Sequence, residues 1–381
     1  MKRTPIRLAI FQTHPIQYWA PLYKALAETN GLIVKVFYLT DSGVKPYLDP
    51  GFGQIVGWDI PLLDGYDFQI LKTDIDVKTL SFWSRGDSRL HSFLSSFMPN
   101  WILVDGYASR MNLSAVTWAV LNNARIAYTS DSNIHVKRSL SAFGLKRFYV
   151  NLFFKFVSAF FSPSVSNQRY LECFGADKTK IHRYQYSIDY SRFKRTPGAT
   201  YEFDFLWAGK LTARKRPLDF IHALKALVHK GYSDIRACVI GGGEMEALVR
   251  TSGGDLVANG VLEIKGFVNQ SQIPLELSKG QVFVFTSENE PYGLVATEAA
   301  ASGAALIAAE GIGCIGPDSS AQPNVNTLTY PVGNIEQLAN AMELLLINQE
   351  LLSQMQDQSV DIAKKHDVSS AASVISSVLL S

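Results

Sequence analysis

Two glutamates with seven residues between them, Glu290 and Glu298, form the most informative chemical pattern in this sequence. The apolar run 281–285 precedes them and predicts a buried parallel strand. A helix is predicted next, so that Glu290 lies in the loop before it and Glu298 about a turn and a half inside it. Because carboxylates accept hydrogen bonds from hydroxyl groups, one could bind a sugar and the other a ribose. The alternative is a pair of solvated glutamates.

The start of the predicted helix adds a second kind of chemistry beside the carboxylates. Gly293, Leu294 and Val295 follow a Pro-Tyr pair and begin an Ala-rich helix. Their backbone N–H groups would point out of the helix N-terminus, where no carbonyl of the helix can accept them. Such amides bind phosphate groups well. A phosphate site with a carboxylate on either side fits a bound sugar nucleotide.

In these residues the chain resembles the retaining glycosyltransferases of family 4, which have the GT-B fold. In that family two glutamates with this spacing follow a strand, commonly in a Glu-Pro-aromatic-Gly-Leu-Val pattern. Here the strand, both acids, Gly293 and the small-residue helix occur in the same register. The resemblance implies that Glu290 contacts the donor sugar, that Glu298 contacts the ribose, and that the backbone over 293–295 holds the diphosphate.

A basic loop after another predicted strand is a second candidate for binding the diphosphate. Gly209 frees the backbone at the strand end, and Lys210 and Lys215 bring positive charge. The family usually has an arginine where Lys210 stands, and a lysine lacks the forked geometry of an arginine. The role of Lys215 is therefore the clearer one. We expect Arg214 and Arg216 to be solvated or structural, and a solvated loop throughout is the alternative.

Two further loops are candidates for contact with the nucleotide. Gly241 and Gly243 belong to a Gly-rich turn after a predicted strand, which is equally consistent with a tight strand–helix connection. The resemblance implies that this turn approaches the nucleotide. It also implies that backbone groups of Val268 and Asn269 meet the nucleobase, with an ordinary loop as the alternative.

The first half of the chain carries three candidate acceptor residues near the ends of predicted strands, His14, Asp105 and Asp131. His14 could bond a phosphate or an acceptor hydroxyl, and we include it with Glu290 and Lys215 as a predicted catalytic residue. A structural histidine is an equal alternative, and Asp131 could instead cap a helix. Many family members have a Gly-Gly loop where this chain has its His-Pro sequence.

Residues 137–157 combine lysines and arginines with many aromatic and aliphatic residues. Such a stretch could lie on an anionic membrane surface, as a peripheral contact on the inner face of the plasma membrane. The alternative is a core helix with solvated basic ends. No uninterrupted apolar run approaches the ~20 residues that span a bilayer, and no signal-peptide core follows the first residues.

Composition indicates a globular protein. The 381 residues are 47% hydrophobic and 18% charged, and the formal net charge of +2 gives no case for nucleic acid as a partner. The three cysteines lack metal-ligand spacing and lie among apolar or small residues. We therefore expect buried, reduced thiols and a cytoplasmic location.

Strands and helices alternate along the sequence, which predicts parallel sheets with helices on both faces. We predict an α/β protein of GT-B type, with two doubly wound Rossmann-like domains facing each other across a cleft. The polar segment 194–199 is interpreted as the linker. The domains are then 1–196 for the acceptor and 197–366 for the nucleotide sugar, with a last helix in 367–381 that could pack on the first domain. Residues 41–97 are less regular and could be an insertion with acceptor contacts.

The predicted function is transfer of a hexose from a UDP- or GDP-sugar, with retained configuration, to a glycan, lipid-linked or small-molecule acceptor in cell-surface polysaccharide assembly. Lysines and helix amides would stabilise the leaving diphosphate, so we expect no metal and no cofactor besides the sugar nucleotide as substrate. Two alternatives remain, a sugar-nucleotide-binding subunit without turnover and a sugar-nucleotide epimerase. The first would be expected to lack Glu290 or Lys215, and the second needs more acid–base groups.

Overall fold

A computed structural model of the chain describes residues 4–49, 51–75, 80–132, 140–196 and 198–381, without the side chains of 140–143 and 145. The chain forms two compact units. The first unit consists of Met1–Tyr47, Ile60–Ser187 and Val368–Ser381, and the second of Leu48–Asp59 and Ile188–Asp367.

Strands and helices alternate through most of the chain. The strands are β1 (Ile6–Gln12), β2 (Leu32–Thr40), β3 (Tyr47–Asp49), β4 (Gln54–Val56), β5 (Asp67–Lys72), β6 (Trp101–Asp105), β7 (Arg125–Thr129), β8 (Ala159–Ser162), β9 (Ile181–Arg183), β10 (Phe203–Ala208), β11 (Ala237–Ile240), β12 (Leu262–Gly266), β13 (Gly280–Phe285), β14 (Ala305–Ala309) and β15 (Thr327–Tyr330). The helices are α1 (Ala20–Ala27), α2 (Leu90–Phe97), α3 (Arg110–Leu121), α4 (Leu140–Phe154), α5 (Val165–Cys173), α6 (Tyr190–Phe193), α7 (Pro217–His229), α8 (Glu246–Ser252), α9 (Gly254–Ala258), α10 (Ile273–Leu277), α11 (Leu294–Ala301), α12 (Ile335–Ile347), α13 (Gln349–Lys365) and α14 (Val368–Leu380).

The first unit is built on a seven-stranded parallel sheet in the order β5-β2-β1-β6-β7-β8-β9. Its interior strand β1 is apolar on both faces: Ala9 and Phe11 pack into one core cluster, and Leu8 and Ile10 into the other. This is why the strand appears in the sequence as a continuous apolar run rather than an alternating one. Helix α14 packs against α1 on the second of these faces.

The second unit is built on a six-stranded parallel sheet in the order β12-β11-β10-β13-β14-β15. In both units the strand order reverses direction once, between β1 and β6 in the first and between β10 and β13 in the second. The prediction of two doubly wound Rossmann-like α/β domains is therefore confirmed. Ligands of such sheets bind outside the carboxyl ends of the strands at the point of reversal, the topological switch point.

The division between the units differs from the domain boundaries read from the sequence. The chain enters the second unit at Ile188, and the polar segment 194–199 lies inside that unit. Anchors on either side of the segment explain this position: the Ser302 hydroxyl donates to the carbonyl of Phe193 at 3.2 Å, and the Tyr201 hydroxyl donates to the carbonyl of Gly303 at 2.8 Å.

The region 41–97 is more ordered than the sequence suggests. It contributes β5 to the edge of the first sheet and contains α2. Its segment Leu48–Asp59 belongs to the second unit. This placement could not be predicted from composition, because the segment is anchored by contacts distant in sequence, and contacts of the region with an acceptor stay a prediction.

Cys238 and Cys314 are buried and free, as expected, and burial raises the pKa of each thiol to about 12. Cys173 is also free but only half-buried, which corrects the expectation for that residue. Within the described part of the chain, every helix is too short or too polar to cross a bilayer.

Candidate donor and acceptor sites

The topological switch point of the second unit joins the two loops that the sequence singles out. Trp207, near the end of β10, donates its indole N–H to the hydroxyl of Thr286 at 2.9 Å, just after β13. That hydroxyl in turn donates to the carbonyl of Lys215 at 2.7 Å. The N–H of Glu288 donates to the carbonyl of Arg214 at 2.9 Å. These bonds hold the basic turn of 213–215 against the acidic loop.

Lys215 and Glu290 form an ion pair at this point, with 2.5 Å between Nζ and Oε2. Both side chains are only 14% exposed. Arg214 binds the same carboxylate oxygen at 3.2 Å and donates to the carbonyl of Asn289 at 2.5 Å. Arg214, expected to be solvated or structural, is therefore a second cation of the site. Arg216, the residue before α7, has a structural role, since it pairs with Asp219 in the first turn of that helix at 2.7 Å.

Burial lowers the pKa of Lys215, and the neighbouring Glu290 opposes that effect. A lysine removed from water binds an anion more strongly than an exposed one, because less solvent screens the interaction. With Arg214 on the same carboxylate, this group has one positive charge more than it has negative charges. The arrangement can therefore bind an anion while a carboxylate remains available for hydroxyl groups.

The start of α11 lies directly beside Glu290. Gly293, the residue before the helix, has a φ of +101°, and a Cβ there would lie 2.5 Å from the ring of Phe285 and 3.4 Å from Cγ of Glu290. Only glycine fits this position. Leu294 and Val295 follow as the first helical residues, whose N–H groups have no carbonyl partner inside the helix. The acidic loop is also braced from its other side, where Gly313 donates to the carbonyl of Glu290 at 3.0 Å.

Glu298 lies on the buried side of α11 and is 4% exposed. Burial raises the pKa of its carboxyl group to about 7, and the charge of Arg192 opposes the rise. A buried carboxyl group with so high a pKa is a candidate functional group, because nothing in an ordinary helix requires it. The alternative of two solvated glutamates is therefore wrong for Glu298, and the side chain of Glu290 is also mostly buried.

The two glycines of the Gly-rich turn are explained by packing of the backbone. A Cβ on Gly241 would lie 1.8 Å from the carbonyl oxygen of Gly209, and one on Gly243 would lie 2.6 Å from that of Leu211. The loops after β10 and β11 are thus in direct backbone contact. A tight strand–helix connection, the alternative interpretation of this turn, accounts for these glycines. Their contact with a nucleotide stays a prediction.

Segment Leu48–Asp59, which the sequence did not connect with this site, contacts two predicted donor residues. Lys210 pairs with Asp49 at 2.9 Å rather than with the Lys215 group. Asn269 donates its side-chain amide to the carbonyl of Gly57 at 2.7 Å, and its neighbour Val268 is half-buried. No local pattern in residues 48–59 marks this docking, because its partners lie far along the chain.

In the first unit, Asp105 lies at the switch point between β1 and β6. Gln12, at the end of β1, donates to its carboxylate at 3.1 Å. Burial raises the pKa of Asp105 to about 7, the charge of Asp131 adds to the rise, and Gln12 opposes it. Gln12 is a site residue that the sequence analysis missed, although its place at the end of a predicted strand was a usable signal.

His14 is half-buried two residues after β1, and its Nδ1 lies 2.9 Å from the hydroxyl of Thr13. Asp131 is exposed, two residues after β7. Both therefore lie at the carboxyl edge of the first sheet with Asp105. Their roles toward an acceptor stay predictions, as does the catalytic role of His14.

Residues 192–361 match the family model described as Glycosyl transferases group 1. This match lies within the second unit and includes Glu290, Glu298, Lys210 and Lys215. The resemblance inferred from the sequence is confirmed at the level of this group. No curated protein sequence matches the chain.

Several solved structures share the fold. HepE from Anabaena in complex with UDP superposes with a TM-score of 0.72 at 16% identity over 99% of each chain. A glycosyltransferase from Rickettsia africae gives 0.74 at 14% identity over 98% of each chain. Sucrose-phosphate synthase from Thermosynechococcus elongatus gives 0.71 at 16% identity, again over 98% of each. At this identity the likeness establishes the fold, which is GT-B.

Proposed function

We propose that this group 1 glycosyltransferase transfers a hexose from a UDP- or GDP-sugar, with retention of the anomeric configuration, and that it binds this donor on its second unit. The observation that carries the proposal is the Lys215–Glu290 pair at the switch point, 2.5 Å between charged atoms and next to the N-terminus of α11. HepE, which has the same fold, has been solved with UDP and with UDP-glucose.

Each group has a separate task in this proposal. Lys215, Arg214 and the N–H groups of Leu294 and Val295 bind the diphosphate and stabilise its charge as it leaves. Glu290 accepts hydrogen bonds from the donor sugar, and Glu298 from the ribose. Since Glu290 is already held between two cations, it positions the sugar and does not act as a covalent nucleophile. The positive charges of the site replace a divalent metal.

The test is release of nucleoside diphosphate from a panel of UDP- and GDP-sugars, measured with and without EDTA. We expect slow hydrolysis of one or two donors, unchanged by EDTA, because water replaces the acceptor. Glu290→Gln should lower this turnover at least about tenfold, since the carboxylate contacts the sugar. It should not weaken diphosphate binding, because removing its charge leaves Lys215 and Arg214 without a competing carboxylate. Diphosphate binding without turnover of any donor would favour the binding-subunit alternative, and interconversion of donor sugars would favour an epimerase.

For the acceptor, we propose the polar groups at the carboxyl edge of the first sheet. His14, Asp105 and Asp131 supply donors and acceptors for the hydroxyl groups of a glycan, lipid-linked or small-molecule acceptor, and Gln12 orients Asp105. Assembly of cell-surface polysaccharide on the cytoplasmic side of the membrane is the setting that these groups and the free cysteines suit.

One face of α4 supports a peripheral contact with an anionic membrane. The stretch 137–157 falls partly outside the described residues, but Phe148 and Leu152 on α4 are 71% and 48% exposed, and Phe156, in the turn just after the helix, is 48% exposed. Exposed cations accompany them at Arg147 and Lys155, and the sequence contains no Asp or Glu from 132 to 171. In the described part of the helix, Val150, Phe153 and Phe154 pack into the core, which fits the core-helix alternative, whereas Phe148 and Leu152 do not.

Sedimentation with vesicles tests this contact. We expect the protein to sediment with vesicles that contain phosphatidylglycerol and not with pure phosphatidylcholine, because cations and apolar side chains act together. Phe148→Ser with Leu152→Ser should abolish sedimentation. Leu121→Ser, which removes an apolar side chain that is 74% exposed at the end of α3, is the matched control and should have no effect.

A further inference from the structure

Segment Leu48–Asp59 is separated from the rest of the second unit by more than a hundred residues of chain, yet it packs within that unit. It contains β4 and most of β3, which pair only with each other among the described strands. Its contacts fall on the loops that follow β10, β11 and β12. These loops line the same carboxyl edge as the proposed donor site.

Asp49 holds the ammonium group of Lys210 with both of its carboxylate oxygens, at 2.9 and 3.0 Å. The Asp49 side chain is 4% exposed, whereas that of Lys210 is 39% exposed. The same carboxylate accepts the N–H groups of Gly51 and Phe52 at 2.8 and 3.2 Å. One buried carboxylate therefore closes the turn of the segment and neutralises a lysine of the donor loop.

Two residues that follow Asp49 in the segment also contact the Lys210 side chain. The ring centroid of Phe52 lies 4.6 Å from Nζ, within the range of a cation–π interaction. A Cβ on Gly51 would lie 2.6 Å from Cδ of Lys210, so a larger residue there would displace the lysine. The Lys210 side chain is thus in contact with a carboxylate, an aromatic ring and a glycine of the segment.

The rest of the segment is fixed to the loops after β11 and β12. A Cβ on Gly243 would lie 2.8 Å from the carbonyl oxygen of Gly51, so the Gly-rich turn admits the segment only because it lacks a side chain there. The ring of Phe52 packs on that of Phe267 at 4.8 Å between centroids. Asp59 accepts the N–H of Ser271 at 2.9 Å.

We propose that Asp49 is an internal competitor of the donor diphosphate for Lys210, and that segment Leu48–Asp59 thereby sets the affinity of the second unit for its donor. This inference rests on the proposed function, because it concerns the same site. An ammonium paired with a carboxylate offers little net charge to a second anion. A diphosphate carries more charge than a carboxylate, so it takes over the ammonium, and the cost of breaking the ion pair of the buried Asp49 carboxylate is subtracted from donor affinity.

The test is calorimetric binding of UDP and GDP to the full chain and to Asp49→Asn. Asparagine keeps the oxygen that closes the turn and removes only the charge. We expect the variant to bind the preferred nucleotide about three- to tenfold more tightly, since Lys210 is then free to pair with phosphate. Unchanged or weaker binding by a folded variant would overturn the proposal.

Two further proteins separate this charge effect from others. Asp59→Asn removes the other carboxylate with which the segment contacts the sheet loops, but its partner Ser271 is neutral, so we expect no gain in affinity. In Asp49→Asn combined with Lys210→Met, the gain should disappear, because the competition requires the lysine. A gain that persists without Lys210 would contradict the proposal.

A measurement on the unmodified protein covers the case in which Asp49→Asn does not fold. Hydrogen exchange of the peptide that contains Gly51 and Phe52 should become faster when UDP or GDP is added, because the segment loses its ion pair. Slower or unchanged exchange at saturating nucleotide would overturn the proposal. If neither nucleotide binds the wild type at all, the proposed function itself fails. That result differs from an unchanged affinity of Asp49→Asn and from unchanged hydrogen exchange, which overturn only the competition by Asp49.

Discussion

Glu298 shows how one buried side chain connects stability with binding. Its helix α11 consists mainly of small residues that pack closely against neighbouring elements, and this packing removes the carboxyl group from water. The pKa of about 7 means that the folded protein holds a proton there at pH values where an exposed glutamate has lost it. In the proposed function, a ribose that donates hydrogen bonds to the carboxylate offsets this cost.

The pH dependence of stability tests the burial of Glu298. Its pKa is raised on folding from 4.5 to about 7, so its contribution is neutral below about pH 4.5, becomes increasingly destabilising between about pH 4.5 and 7, and levels off above that. Glu298→Gln should therefore raise the free energy of unfolding by about 3 kcal/mol at pH 8 and by little at pH 5. Urea unfolding of both proteins at the two pH values measures this, and an equal difference at both would contradict it.

At the scale of elements, the loop after β13 and the first turn of α11 form one structural motif. The loop is held at its start by the hydrogen bond of Thr286 to Lys215, and in its middle by the hydrogen bond from Gly313 to the carbonyl of Glu290. The side chain of Glu290 then pairs with Lys215. Gly293 then turns the chain sharply into the helix against the ring of Phe285. The positions of the carboxylate and of the helix amides consequently depend on each other.

Gly293→Ala should disturb the motif formed by the loop after β13 and the first turn of α11. Gly260→Ala is the matched control, because Gly260 also has a positive φ, +73°, but nothing lies within 4 Å of the added Cβ. The control should lose about 1 kcal/mol from backbone strain alone. Gly293→Ala should lose about 1–3 kcal/mol more, since its Cβ would lie 2.5 Å from Phe285, and it should also weaken diphosphate binding. Equal losses in thermal unfolding would show that the contact with Phe285 does not matter.

Elements that depend on local pattern were predictable, and those that depend on distant contacts were not. The apolar runs of β1, β10 and β13 and the motif from Glu290 to Glu298 are local, so they could be recognised directly. The burial of Glu298 and the pairing of Arg214 with Glu290 require knowledge of which strands are neighbours. The docking of Asp49 on Lys210 joins residues 161 positions apart, and neither residue carries a signal for the other.

At the scale of the whole molecule, the chain passes between the units at 47/48, 59/60, 187/188 and 367/368. Neither unit is therefore a continuous piece of sequence, and a cut at the linker predicted near 197 would leave both incomplete. The two units share the same reversal of strand order, and each has polar candidates at its switch point, Gln12 with Asp105 and Lys215 with Glu290.

The central claim is that the switch point of the second unit binds the diphosphate of a sugar nucleotide through Lys215. Calorimetric titration of UDP and GDP into the wild type, Lys215→Met and Lys225→Met tests it most directly. Lys225 is the matched control, because it pairs with Asp255 elsewhere in the same unit at 3.0 Å. We expect the wild type and Lys225→Met to bind one nucleotide equally well and Lys215→Met to bind it at least about tenfold more weakly. No binding of either nucleotide, or equal binding by all three proteins, would contradict the claim.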